Sequence, residues 1–100
     1  MDLPYVHEVV VELEAGGDAG ALGGAVTVAL CGHWDHEPPC RWPHRTEPVD
    51  RNGLTVVHVE FAAQAEDEAG VRQRIEDALA AGILAGPEHR ITRWTVVGPS

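Results

Sequence analysis

Three stretches of this chain repeat their apolar residues at every second position, and only one repeats them at helical spacing. That imbalance limits the fold more than any other feature. From Tyr5 to Glu14, Val9, Val11 and Leu13 fall on one side while Glu8, Glu12 and Glu14 fall on the other, the pattern of a half-buried strand. Ala25 to Cys31 repeats it, with Val26, Val28 and Leu30 against Thr27, Ala29 and Cys31. Leu54 to Ala62 sets Thr55, Val57, Val59 and Phe61 against Val56, His58 and Glu60, behind a turn signal at Asn52-Gly53. Arg90 to Val97 reads as a last strand before a short tail. The segment Gly16 to Gly24 holds so many glycines, each losing more backbone freedom on ordering than any other residue, that a mobile hairpin loop is expected there.

The helical stretch runs from about Glu66 to Ala81, where Val71, Ile75, Ala78 and Leu79, followed by Ile83, form one apolar stripe. Glu66, Asp67 and Glu68 suit the positive end of its dipole, Glu68 and Arg72 stand one turn apart, and Gly82 is a stop signal. Because one helix covers one side of a sheet, the expected class is α+β: a single domain spanning 1–100, with a four-stranded, mostly antiparallel sheet in the order β-β-β-α-β. The helix packs on one face, and a long Cys/His-rich loop joins the second and third strands. The last two strands should lie parallel across the helical crossover, with room for another strand between them.

Composition narrows the function. A chain of 100 residues builds one modest core. Seven Arg/Lys residues, all arginine, against sixteen acidic ones give a formal charge of −9, which repels phosphate backbones and anionic lipid; neither nucleic acid nor a membrane is an expected partner. The start, Met1-Asp2-Leu3-Pro4, lacks the basic and apolar runs of a secretory signal, so the expected compartment is the cytoplasm. In that compartment two cysteines point to thiols or metal ligands ahead of a disulfide. Neither a Gly-rich phosphate loop nor a G-x-S-x-G or HExxH pattern is present.

The chemistry is concentrated in Cys31-Gly-His33-Trp34-Asp35-His36-Glu37-Pro-Pro-Cys40-Arg-Trp42-Pro-His44. Thiolate and imidazole are the ligands zinc prefers, and two short knuckles joined by the bend at Pro38-Pro39 can bring four of them together. Cys31 and His33 supply the first knuckle, Cys40 and His44 the second; His36 can replace either histidine, and Asp35 or Glu37 can supply an oxygen. A disulfide between the cysteines closes a loop of about ten residues, worth roughly 2.5–3 kcal/mol, whereas a structural zinc contributes about 10–16 kcal/mol and reaches as far as His44. Zinc is therefore the expected cofactor, and Trp34 and Trp42 are expected to form a small core beneath the loop.

Three functions follow. In the first, a closed four-ligand zinc site orders the loop so that it presents a fixed surface to a protein partner or a second copy. In the second, His33, His36 and His44 hold a metal with an open position and Asp35 or Glu37 acts as ligand or base, giving a metal-dependent enzyme. In the third, a metal-free domain forms a homodimer through the open sheet face or an exposed strand edge. On that face Glu8, Glu12, His58, Glu60 and Arg93 would gather as a solvated polar patch, or His58 and Glu60 would extend the loop cluster into a second site.

Overall fold

A computed structural model describes residues 3–31, 42–85 and 90–99. The chain runs β1 (Tyr5–Leu13), α1 (Gly20–Cys31), β2 (His44–Arg51), β3 (Leu54–Phe61), one 3₁₀ turn (Ala65–Asp67), α2 (Glu68–Ala80), β4 (Ile83–Ala85) and β5 (Ile91–Pro99). Its α+β class and single domain are as expected, but the sheet has five strands in the order β2-β3-β1-β5-β4, and there are two helices. The expected second strand is a helix, and His44–Arg51 of the expected long loop is a strand.

β1, β3 and α2 form where their apolar periods place them. β1 pairs antiparallel with β3 on one edge and with β5 on the other, so β3 and β5 run parallel on either side of it. β2 adds to the far edge of β3 through a tight hairpin, in which Asn52 (φ 54°) and Gly53 (φ 84°) take the two left-handed positions of a type I′ turn. Leaving aside the short edge strand β4, the succession is β-α-β-β-α-β; β1 and β2 lie parallel on either side of β3, and β3 and β5 on either side of β1, a split β-α-β arrangement.

The segment from Gly20 to Cys31 is helical because its buried residues follow a helical period. Ala21, Leu22, Ala25, Val26 and Leu30 all turn into the core, whereas Val28, expected beside Val26 and Leu30 on a strand face, is only half-buried. Asp18 starts the helix: its carboxylate accepts from the Gly20 amide at 2.9 Å and its carbonyl from the Ala21 amide. Glycine-rich as the segment is, tertiary burial outweighs its weak helix propensity. β2 escapes an apolar reading because it is an edge strand, exposed along most of its length.

Both helices lie on one face. Val9, Val11, Val57, Val59, Phe61 and Trp94 from the sheet meet Leu22 and Val26 of α1 and Val71, Ile75 and Leu79 of α2 in one core, which also takes in Trp42. With extents of 37 × 30 × 21 Å, the molecule is about as thick as one sheet plus one layer of helices, about 10 Å each. Among the described residues no helix or strand covers the opposite face. No helix among them is long and apolar enough to cross a membrane.

The end of α2 is held by a small knot of backbone bonds. Gly82 (φ 71°) donates to the Leu79 carbonyl and accepts from the Trp94 amide, and the Trp94 indole donates to the same Leu79 carbonyl at 2.8 Å. A Cβ on Gly82 would stand 2.8 Å from the Trp94 carbonyl oxygen, whereas a Cβ on exposed Gly70, within α2, would meet nothing. Gly82→Ala should therefore cost more than about 1 kcal/mol of unfolding free energy. Gly70→Ala should add roughly 0.5–1 kcal/mol. Urea denaturation of the pair reads opposite signs, and a Gly82→Ala protein as stable as its parent would contradict this turn.

Candidate metal centre

One side of α1 carries Gly23, Thr27 and Cys31 at one-turn intervals, and this stripe lies along β2. A Cβ on Gly23 would come within 3.8 Å of the Thr46 side chain, Thr27 reaches His44, and Cys31 reaches His44 from the last turn of the helix. His44 is the first residue of β2 and points to the helix side, in register with Phe61. Two of the five expected ligands thus meet, from elements separated by the segment 32–41.

The contacts of His44 define its tautomer. Its Nδ1 lies 3.1 Å from the Trp42 carbonyl, which can only accept, so Nδ1 carries the proton. Nε2 is then the acceptor of the neutral ring, and the Thr27 hydroxyl donates to it at 3.2 Å. Cys31 Sγ stands 3.9 Å from Nδ1, on the side of the same N–H. Trp42 is buried in the core beneath Arg74, whose guanidinium carbon lies 5.0 Å from its ring centre, so the carbonyl that orients His44 is itself well anchored.

Cys31 is disulfide-bonded, and Cys40 is the only other cysteine of the chain. The expectation of thiols or metal ligands ahead of a disulfide is therefore not met at Cys31. His33, His36 and Cys40, together with Trp34, Asp35 and Glu37, lie outside the described residues. Among the described residues no three His, Cys, Asp or Glu side chains converge as a metal site. Sequence reasoning missed Thr27 and the Trp42 carbonyl. The Gly23-Thr27-Cys31 spacing carries the Thr27 signal, but only once the segment is read as a helix.

The polar patch expected on the open face is real in part. Glu8 and His58, opposite one another on β1 and β3, are bonded at 2.5 Å, and Glu47 of β2 flanks His58 from the other side. Glu60 and Glu12 share this face by register, whereas Arg93 sits toward β4, opposite Ile83. Because His58 and Cys31 lie on opposite sides of the sheet, His58 and Glu60 do not extend the Cys31 cluster, and that expectation is set aside. A second fixed histidine, His7, is on the helix side: Arg72 donates to its Nδ1 at 3.2 Å and its Nε2–H donates to Glu76 at 2.7 Å. The expected one-turn pair is present there too, with Arg72 Nε donating to Glu68 at 2.9 Å.

No protein family matches the chain, and no curated protein or solved structure is similar to it.

Thr27→Val keeps the side-chain shape and removes the hydroxyl that donates to His44 Nε2, so unfolding free energy should fall by about 1–2 kcal/mol. Long-range ¹H–¹⁵N correlation spectra of the neutral ring should show the proton on Nδ1. An Nε2–H tautomer combined with an unchanged Thr27→Val stability would refute this description of the corner.

Proposed function

We propose that this chain is a small metal-binding module in which zinc, bound at the junction of α1 and β2, orders the connecting segment as a surface for a partner protein. Cys31 and His44 are the ligands to which the geometry lends support, and His33, Cys40 and His36 are the sequence candidates for the remaining positions. The observation that carries the reading is the 3.9 Å approach of Cys31 Sγ to His44 Nδ1. Tetrahedral zinc with ordinary Zn–S and Zn–N bonds holds such atoms about 3.6 Å apart. The pair therefore stands a few tenths of an ångström from ligand spacing.

Two changes accompany binding. Thiolate is the ligand form of cysteine, so zinc and the disulfide compete for one sulfur and only the reduced chain takes the metal. At His44 the metal replaces the Nδ1 proton, and the ring shifts to its Nε2–H tautomer. The Thr27 hydroxyl then accepts where it had donated, and so remains a support for the ligand in both states. Four side-chain ligands would close the shell and make the metal structural.

Zinc analysis of protein purified with reductant is the test. About one equivalent is expected, lost in Cys31→Ser and His44→Ala, with the His44 proton moving from Nδ1 to Nε2 on loading. At a free zinc concentration one hundred times Kd the metal adds about 2.7 kcal/mol, and chelation should lower the melting temperature by roughly 10–20 °C. Reduced protein that takes up no zinc, and melts identically in chelator, would end the proposal.

A further inference from the structure

We infer that the face of the sheet opposite the two helices is the contact surface of a homodimer, two copies packing sheet against sheet independently of the Cys31–His44 corner. Register places Gly98, Val10, Val56 and Val49 in one row across β5, β1, β3 and β2 on this face. Val49 is 41% exposed and Val6, two rows away, 45% exposed, while Val56 at the centre is 1% exposed although it lies outside the main core. A strand that only faced water would carry polar residues at these positions.

The sheet guards its edges and leaves its face apolar. β2 closes one edge and carries Pro48, which has no N–H to offer a further strand, and β4 at the other edge is three residues long. Pairing edge to edge is thereby discouraged along β2 and along the stretch of β5, Ile91–Arg93, that β4 covers. The four long strands present about 30 by about 19 Å, so two such faces bury on the order of 1,100 Å², enough to clear the lower bound for a specific contact.

Charge selects a second copy as the occupant. The chain carries −9 in all, yet this face holds four carboxylates (Glu8, Glu12, Glu47, Glu60) against three guanidiniums (Arg45, Arg51, Arg93) and His58. A basic partner would be drawn to the rest of the surface, whereas a second copy of this face, with one carboxylate in excess of its guanidiniums, meets little net repulsion here. A two-fold axis running along the strands between β1 and β3 lays each row on its own copy. Val10 of one chain then covers Val56 of the other, and each Glu8 faces the other chain's His58.

Sedimentation velocity of the full chain at tens of micromolar should show a dimer, and the double variant Val6→Lys, Val49→Lys, changed only at exposed positions, a monomer with Kd raised at least tenfold. Circular dichroism melts confirm that the variant is folded. The wild-type dimer should persist in chelator with reductant and in Cys31→Ser. A monomeric wild type, a double variant that still dimerises, or a dimer lost on chelation would overturn the inference; the last would assign association to the metal corner.

Discussion

β1 is hydrogen-bonded along both edges, to β3 and to β5, and the side it turns to the helices is closed by Val9 and Val11, both essentially inaccessible. A strand so placed fixes where everything else can go. The crossover through α1 must step past β3 to reach β2, and the crossover through α2 must step past β1 to reach β5, so the two helices lie side by side on one face. α1 is thereby pressed toward β2 and ends with Cys31 beside the first residue of that strand. The chemistry at the corner is a consequence of strand order.

How much of this the sequence discloses depends on how far each element relies on its own residues. β1, β3 and α2 carry apolar periods of full length and are legible, as are the Asn52-Gly53 turn and the stop at Gly82. α1 is not, because alternating Val26, Val28 and Leu30 imitate a strand and the five glycines from Gly16 to Gly24 imitate a loop. Its helix comes from burial of Leu22 and Val26 against a sheet that a local reading does not contain, with Asp18 as the one local cue. β2 has no apolar period to show, since an edge strand with Pro48 at its middle gains its order from the backbone ladder to β3.

This bears on the loop as well. Reading Gly32 to Gly53 as unstructured makes the tether needed to order it too large, because His44 to Arg51 is already held by β3. The ends that a tether has to bring together, Cys31 and Trp42, are fixed independently, one by α1 and the other by burial of the Trp42 ring. Of the five sequence ligands, Cys31 and His44 stand at or near these anchors. Preorganised ends reduce the loop-closure entropy that either a disulfide or a metal must overcome, so the same geometry serves both bonds to Cys31.

The two faces of the sheet divide the chemistry. On the helix side, His44 and His7 are held by partners that fix which nitrogen carries the proton, each within reach of a helix that cannot move without disturbing the core. On the other side, Glu8 and His58 bond to one another across two strands and Val10, Val56 and Val49 line up beside them. The outward residues of β3 are Leu54, Val56, His58 and Glu60, and an isolated sheet would gain nothing by placing two aliphatic residues among them. Buried beneath no helix, Val56 is explained by what its neighbours can jointly exclude from water, and a surface that already sheds water at its centre needs little further change to receive its like.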